Sequence, residues 1–439
     1  MNKNEYCLSY LDITNKGYRV FGQETQRKEG QVMRRVFGVS ASLFVALAVL
    51  VAFTLGTGVK SAQAGNVIKV GCAISFTGKK SRTGKLYVDS YNMAVERINE
   101  SGGVKVGPKH YKLKIIYYDD KSSADESAKL VEKLISEDKV NFLLGPYSSG
   151  ITIPDSIIAQ RYRIPMIEGG GASGKIFSRG NKYIFGTLPP AGEYFKSTLE
   201  MMKGFKPAPK RVAILYADDK FDKSVAKGTK KLAEKMGFDV VVYERYAEGA
   251  SDFNTILTKV KAAKADAVLV AGHTEESLNF VQQAKELNVC PKMISLTVGP
   301  SEADFRKSLG KDAEYIFGVA SWSPQMNFKG YIFKDTKEFV KEFKKLYGYD
   351  PDYHNASAIA DIAVLKNAIE RARTLNPQKV RDAIASTSLD TIYGHVEFAP
   401  NGQIKGTSVA LQILGGDVVQ VYPNGTKKPH YPVPCWKSR

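Results

Sequence analysis

Residues 67–75 read VIKVGCAIS, residues 85–100 read KLYVDSYNMAVERINE, and residues 111–118 read YKLKIIYY. The outer two are short apolar runs rich in β-branched and aromatic residues, which predicts strands. The middle stretch repeats its apolar positions with helical periodicity and ends at Gly102-Gly103, which predicts an amphipathic helix. A strand, a helix and a second strand form a βαβ unit, so this region predicts an α/β fold with a parallel sheet.

The same alternation continues and occurs twice along the chain. The predicted strands lie at 67–75, 111–118, 140–145 and 164–168, and again at 211–216, 239–243, 266–271 and 292–297. The predicted helices lie at 85–100, 122–138, up to about 162, 222–237, 252–264, 275–288, 332–347, 353–373 and 377–387. The chain is β-rich from about 393. Two similar, doubly wound, Rossmann-like lobes are therefore predicted.

The first 64 residues have the pattern of a leader. Arg34-Arg35 precedes an uncharged stretch whose dense centre, residues 43–55, reads LFVALAVLVAFTL, and Ala62-Gln63-Ala64 offers an A-x-A cleavage site. This predicts a signal peptide cleaved after Ala64 and a periplasmic protein, with a membrane anchor as the alternative. Met33 is an alternative start, and the choice between Sec and twin-arginine export stays open.

Removing this leader changes the charge and the cysteine count. The whole chain of 439 residues has 63 Lys+Arg and 45 Asp+Glu; eight of those basic and four of those acidic residues lie in the leader, so the net charge falls from +18 to +14. Cys7 is lost, Cys72 lies in an apolar strand and is expected to be buried, and Cys290 and Cys435 could form a disulfide if the fold allows it. The basic residues are spread along helix faces, which indicates a solvated surface and no nucleic-acid partner.

The motifs that would indicate an enzyme or a cofactor are incomplete or wrongly placed in this sequence. Gly169, Gly171 and Gly174 match G-x-G-x-x-G, but they follow the fourth strand of the lobe, and Ile176 stands where a P-loop needs a hydroxyl. We expect instead a loop whose backbone approaches another segment closely. The five histidines are scattered in the sequence and there is no C-x-x-C, so neither a metal site nor another cofactor is predicted. Ser148-Ser149-Gly150 is not a nucleophile elbow.

Two serine-containing loops follow neighbouring predicted strands. Ligands of open α/β sheets bind outside the carboxyl ends of the strands. Pro154 suits a helix's first turn, so the helix after Ser149 should begin near 151–153 and present N–H groups and a hydroxyl to a carboxylate. The alternative is that Ser148 and Ser149 only cap the helix. Ser173 follows the next strand and could reach the same crevice.

Five short motifs in this order carry a family resemblance. They are Ile68-Lys69-Val70-Gly71, Asn99-Glu100-Ser101-Gly102-Gly103-Val104, Tyr118-Asp119-Asp120, Gly145-Pro146-Tyr147-Ser148-Ser149 and Lys182-Tyr183-Ile184-Phe185-Gly186-Thr187. From residue 66 to about 425 the chain resembles the periplasmic leucine/isoleucine/valine-binding proteins, the type I solute receptors of branched-chain amino acid ABC transporters. The resemblance implies a small-molecule ligand, an inner-membrane ABC permease as partner, a monomer, and no catalysis.

The resemblance also implies the type I periplasmic-binding-protein fold, whose two lobes are joined by three crossings and close by a hinge motion. The crossings are expected near 187–191, 319–323 and 389–394. The N-terminal lobe is then 65–188 plus about 320–391, and the C-terminal lobe 189–319 plus about 392–439.

By position, the family's carboxylate-binding serine falls on Ser149, its second hydroxyl on Ser173 and its aromatic lid on Phe221. Trp322 would either line the cleft or pack in the hinge. The full set of expected ligand-binding residues is Ser149, Ser173, Thr83, Ser148, Ala172, Phe221, His273, Thr274, Thr297 and Trp322.

One departure from the family bears on the ligand. The amino-acid receptors hold the ligand's ammonium with an acid from the second lobe, but here that stretch reads Leu296-Thr297-Val298. Either Asp219, Glu275 or Glu276 replaces that acid, or the ligand is not an α-amino acid. The sequence thus predicts a receptor for a small carboxylate-bearing solute, an amino acid. An aromatic or short-chain organic acid, an amide, or a role as an exported ligand sensor are the alternatives.

Overall fold

The computed structural model describes residues 66–439. The predicted leader, with Cys7 and the Ala64 cleavage site, lies outside the described residues. The strands are β1 Val67–Ile74, β2 Val104–Val106, β3 Lys109–Asp119, β4 Phe142–Leu144, β5 Met166–Glu168, β6 Ile184–Gly186, β7 Arg211–Ala217, β8 Asp239–Tyr246, β9 Ala267–Ala271, β10 Met293–Leu296, β11 Phe317–Ala320, β12 Ser388–Thr391, β13 Gly394–Glu397, β14 Val409–Leu414 and β15 Asp417–Tyr422. The α-helices are α1 Ser81–Glu100, α2 Ala124–Ser136, α3 Ser149–Tyr162, α4 Gly174–Phe177, α5 Lys196–Lys203, α6 Lys220–Lys235, α7 Asn254–Ala262, α8 Thr274–Glu286, α9 Ala303–Leu309, α10 Thr336–Tyr347, α11 Tyr353–Ala372 and α12 Pro377–Ala385.

Two main sheets carry the two lobes. The first has the order β2-β3-β1-β4-β5-β6, and the second has the order β15-β14-β11-β10-β9-β7-β8. Pairing is parallel from β3 through β6 in the first and from β8 through β11 in the second, whereas β2, β14 and β15 join antiparallel at the edges. The predicted α/β class with two doubly wound lobes is confirmed.

Helix starts differ from the sequence prediction in two places that matter for the site. Helix α1 begins at Ser81, so Thr83 lies in its first turn and not in a loop. Helix α3 begins at Ser149, earlier than the predicted 151–153, and Pro154 lies inside it. The Ser148 carbonyl accepts the N–H groups of Ile151 and Thr152. These hydrogen bonds form the first helical turn on the N-terminal side of Pro154.

The chain crosses between the sheets at places that only partly match the expectation. It leaves the first sheet after Gly186, and it leaves β11 of the second sheet after Ala320. The third crossing was predicted at 389–394, but the chain stays beside the first sheet until Ile404, whose N–H donates to the Gly186 carbonyl. The crossing therefore lies at 405–408, because the segment that follows β13 adds to the exposed edge of β6 before β14 begins.

The burial of Cys72 and the pairing of the other two described cysteines agree with the sequence predictions. Cys72 is fully buried within β1 and has a free thiol. Cys290 and Cys435 form a disulfide across 145 positions of sequence, with Cα atoms 5.2 Å apart. The disulfide holds the C-terminal segment beside the loop before β10, where the Trp436 indole N–H also donates to the Val289 carbonyl at 2.8 Å.

Within residues 66–439, the structure contains no helix with the length and apolar character needed to cross a membrane.

Candidate functional site

The serine of the first loop is bonded to the backbone of the next loop. Ser149 opens α3 and is 1% exposed, and its Oγ accepts the N–H groups of Ala172 and Ser173, each at 3.1 Å. A hydroxyl has two acceptor lone pairs and one donor, so among the described residues its O–H remains available to a carboxylate. Ser148 precedes the helix but makes no capping hydrogen bond. The alternative of a simple serine cap therefore does not describe this turn.

The glycine loop after β5 passes very close to the serine loop. A Cβ added at Gly170 would lie 2.2 Å from the Pro146 carbonyl oxygen, and one at Gly145 would lie 2.0 Å from the Glu168 Cβ. Only glycine fits at such separations. The expectation of a close backbone approach after the fourth strand is confirmed, and this approach brings Ser149 to Ala172 and Ser173.

An acid that the sequence analysis did not single out lies between the lobes. Glu302 is 3% exposed, just before α9 in the second lobe, and its two carboxylate oxygens accept the Thr274 hydroxyl at 2.9 and 3.0 Å. The Thr83 hydroxyl of the first lobe is 3.4 Å from the same carboxylate. Burial raises the pKa of the Glu302 carboxyl to about 7, although the nearby His354 opposes this shift.

A buried histidine–aspartate pair faces Glu302 from α11. His354 Nδ1 lies 2.9 Å from Asp352 Oδ2 and 4.0 Å from Glu302 Oε1. Burial would raise the pKa of the Asp352 carboxyl, but His354 outweighs it and holds that pKa below its usual range. Ser301, the neighbour of Glu302, donates to Asp352 at 3.2 Å. This first-lobe pair therefore helps to position the loop that carries Glu302.

His273 connects the two lobes through its ring nitrogens. Its Nδ1 lies 2.7 Å from the Tyr147 Oη of the first lobe, and its Nε2 lies 2.7 Å from Asp219 Oδ2 of the second. Burial would raise the pKa of Asp219, but His273 and the Asp222 N–H outweigh it and hold that pKa well below its usual range. His273 therefore contacts both sides of the crevice.

Aromatic rings of the second lobe lie beside His273, and a serine pair adds a contact between the lobes. Phe221, in the first turn of α6, packs edge-on against Tyr194 at 5.2 Å between ring centroids and lies 5.9 Å from the His273 ring. Ser173 Oγ lies 2.7 Å from Ser224 Oγ of α6. Phe221 and Ser173 each follow a strand end within five residues, where the ligand was expected.

Two of the expected residues have other partners. The Thr297 hydroxyl exchanges hydrogen bonds with the backbone of Gly272, accepting at 3.0 Å and donating at 2.9 Å, so it supports the loop before His273. Trp322 is fully buried, and its indole N–H donates to the Ile392 carbonyl at 2.7 Å while its ring packs against Phe339. These contacts place Trp322 between the crossing segment after β11 and the β12–β13 turn.

Most of the remaining expected residues fall into three groups. Ser149, Ala172 and Ser173 form one group, Thr83 and Thr274 meet at Glu302, and Phe221 meets His273. Sequence reasoning missed Glu302, Tyr147, Asp222 and the Asp352–His354 pair. Tyr147 stood within a quoted motif and could have been included, but Glu302 follows β10 by six residues and carries no local signal.

The arrangement suits a small zwitterion or acid. It combines a hydroxyl at the start of α3, the buried carboxylate of Glu302 and a set of aromatic rings. The helix start matches an anion, and the carboxylate matches a cation.

Comparisons with known proteins agree on the class of protein. Residues 67–417 match the family model described as "Periplasmic binding protein". A Leu/Ile/Val-binding protein homolog 7 from Brucella suis is 26% identical over 382 residues, which cover 83% of this chain and 93% of the relative. A leucine-, isoleucine-, valine-, threonine-, and alanine-binding protein from Pseudomonas aeruginosa is 25% identical over 350 residues, which cover 78% of this chain and 88% of the relative.

Two solved structures share the fold. The branched-chain amino acid transporter substrate binding protein from Streptococcus pneumoniae, in complex with isoleucine, has a TM-score of 0.72 at 21% identity, covering 80% of this chain and 98% of that one. A solute binding protein of an ABC transporter from R. palustris, in complex with benzoate, has a TM-score of 0.70 at 17% identity, covering 84% and 97%. The two scores are nearly equal, so fold similarity does not choose between their ligands.

Proposed function

Because the chain belongs to the periplasmic binding protein family, a family of binding proteins and not of enzymes, we propose that it is the solute receptor of a branched-chain amino acid type ABC importer. Its ligand is an α-amino acid with an aliphatic side chain. The receptor works outside the cytoplasmic membrane and closes by a hinge motion of its two lobes.

The observation that carries the amino-acid proposal is the position of Glu302. A buried ammonium needs an anionic partner, and the expected stretch Leu296-Thr297-Val298 offers none. Glu302 supplies a carboxylate from the second lobe, and its contact with Thr83 places it against the first. Three acids were considered from sequence, and each has another partner. Asp219 Oδ2 lies 2.7 Å from His273 Nε2, and Glu275 pairs with Arg82 at the surface. Glu276 accepts the N–H groups of Gly249 and His273.

The ligand's carboxylate is proposed to bind at the start of α3. The Ser149 hydroxyl hydrogen, which has no acceptor among the described residues, favours an anion there, and the positive end of the helix dipole adds to the attraction. Ala172 and Ser173 hold Ser149 in place through their N–H groups. The side chain of the ligand then lies among Phe221, Tyr194 and Tyr147.

An aromatic acid is the second candidate, and the ring cluster favours it. Tyr147, His273, Phe221 and Tyr194 form a chain of ring contacts at 5.2–5.9 Å between centroids, a spacing typical of aromatic packing. For such a ligand Glu302 would have to stay protonated, because a benzoate has no ammonium to pair with it.

A ligand panel separates the two candidates. We expect leucine, isoleucine or valine to raise the unfolding temperature of the purified protein, since saturation at 100 times Kd adds about 2.7 kcal/mol to stability. Benzoate and benzamide are the comparison ligands. A shift with benzoate and none with the three amino acids would overturn the amino-acid proposal and leave the receptor assignment intact.

A permease partner is proposed over a sensor role. Deleting the gene should reduce uptake of the labelled ligand at concentrations near Kd, and restoring the gene should restore uptake. A protein that binds the ligand while uptake stays unchanged would instead be an exported sensor.

Replacing Ser149 with alanine is expected to weaken leucine binding by roughly 1–3 kcal/mol, because the ligand carboxylate loses a hydrogen bond in a buried site. Isothermal titration calorimetry measures the change. Ser156→Ala is the matched control: Ser156 is a buried serine of the same helix whose hydroxyl donates to the Ile153 carbonyl at 2.7 Å. If folded Ser149→Ala keeps the original affinity, Ser149 only positions the two loops.

A further inference from the structure

Three metal-ligating side chains of the second lobe meet beside the crevice. Asp219, Asp222 and His273 each direct one ligand atom into a group whose atoms lie within 4.8 Å of one another. His273 Nε2 lies 2.7 Å from Asp219 Oδ2 and 3.8 Å from Asp222 Oδ2. The fold joins the start of α6 to the start of α8, so residues about fifty positions apart in sequence converge.

The buried carboxylate of Asp222 is an independent indication that this group of side chains binds a cation. Its side chain is fully buried, and neither carboxylate oxygen has a hydrogen-bond partner among the described residues. Buried charged groups are normally paired or bound to a metal. Lys80, whose charge acts on both aspartates, has its ammonium nitrogen 2.9 Å from Glu248.

We propose that Asp219, Asp222 and His273 form a binding site for a zinc-type divalent cation. One imidazole nitrogen with two carboxylates suits Zn²⁺, whereas Ca²⁺ and Mg²⁺ prefer six or more oxygen ligands. Tetrahedral ligands at about 2.1 Å from zinc lie about 3.4 Å from each other. The two distances from His273 Nε2 bracket that value, so small side-chain rotations complete the site.

The surroundings support the ligands as a zinc site requires. A ligating histidine normally donates its other ring N–H to a neighbour, and here Nδ1 faces the Tyr147 Oη at 2.7 Å, which leaves Nε2 for the metal. Asp219 Oδ1 accepts the Asp222 N–H at 2.8 Å, which fixes the orientation of Asp219. Two ionised carboxylates neutralise the charge of the cation, and three protein ligands leave a fourth position open.

The sequence analysis predicted no metal site at these residues. It looked for histidines paired at ligand spacing along the chain, whereas this site has one histidine and takes its carboxylates from another βα unit. The three proposed ligands all belong to the second lobe, with Tyr147 of the first lobe as the partner of His273, and the inference does not depend on which solute the receptor carries.

The test is a titration of the chelator-treated, purified protein with ZnCl₂ in the absence of any amino acid. One ion per chain is expected, and Asp222→Asn should weaken zinc binding by about 100-fold or more, since even outer-shell partners of a metal site are worth 10–100-fold. Asp218→Asn is the matched control, because Asp218 lies in the same loop but pairs with Arg245 at 3.1 Å and with Lys223. Its zinc affinity should equal that of the unchanged protein.

Cobalt substitution gives a readout that needs no variant. Co²⁺ bound to the unchanged protein should show the intense visible bands of a tetrahedral site, and one equivalent of Zn²⁺ should abolish them, whereas Ca²⁺ should not. Weak octahedral bands, or equal zinc affinity in Asp222→Asn, would overturn the proposal and indicate surface binding. No zinc binding, with leucine affinity lost in Asp222→Asn, would overturn it in favour of a direct role in solute binding.

Discussion

Replacing Glu302 with glutamine should cost about 3–5 kcal/mol of leucine-binding free energy, a loss of more than 100-fold in affinity. The carboxylate is buried and is proposed to pair with the ligand's ammonium, so the amide leaves a charged group without its partner in a dry crevice. Glutamine has almost the same shape and keeps an oxygen for the Thr274 hydroxyl, so the protein should still fold. Isothermal titration calorimetry at pH 8 measures the change.

The matched control is Glu275→Gln, an acid of the same lobe in the first turn of α8 that pairs with Arg82 at the surface. Exposed ion pairs contribute little, so this variant should lose at most about 1 kcal/mol of binding free energy. If both variants bind leucine like the unchanged protein, the ammonium has another partner and the role proposed for Glu302 is wrong.

The pH dependence of binding gives a second check on the same residue. Burial raises the pKa of Glu302 to about 7, so the carboxyl is protonated below that pH and must lose its proton to pair with an ammonium. Leucine affinity should therefore fall about tenfold for each pH unit below 7 and level off above it. In Glu302→Gln this dependence should vanish. A benzoate-type ligand, which needs the protonated form, would show the opposite slope.

The fold could be predicted from the sequence because each strand and helix has its own pattern of apolar residues. The strands around Val70, Leu143 and Val268 are apolar runs bounded by turns, and the helices between them are amphipathic, so periodicity alone predicts two doubly wound sheets. The same holds for Ser149 and Ser173, since the carboxyl ends of neighbouring parallel strands meet at one edge.

The rest of the site depends on distances that only the folded chain creates. Glu302 becomes significant because Thr83 and Thr274, 219 and 28 positions away, meet its carboxylate. The third crossing was misplaced for a similar reason, since the bond between Ile404 and Gly186 is a pairing of distant segments. Neither contact leaves a periodicity or a spacing in the sequence.

The two interpretations of Trp322, lining the cleft or packing in the hinge, predict different outcomes when it is replaced. Replacing it with alanine should lower the free energy of unfolding by about 3–5 kcal/mol, because a large, fully buried side chain is removed and the cavity cannot close completely. The variant also removes the indole N–H from the Ile392 carbonyl, which the Thr336 hydroxyl contacts at 3.4 Å. The urea midpoint of unfolding measures the loss.

Leucine affinity of the folded Trp322→Ala protein should change little, because the indole contacts Phe339 and Ile392 and not the Ser149 or Glu302 groups. Trp322→Phe is the matched variant: it keeps an aromatic ring and loses the hydrogen bond, so it should cost only about 1–3 kcal/mol of stability. A Trp322→Ala protein with nearly unchanged stability and a tenfold higher Kd would instead place this side chain in the cleft. Since Trp322 joins the segment after β11 to the β12–β13 turn, a loss of stability without a loss of affinity would identify it as a support of the hinge.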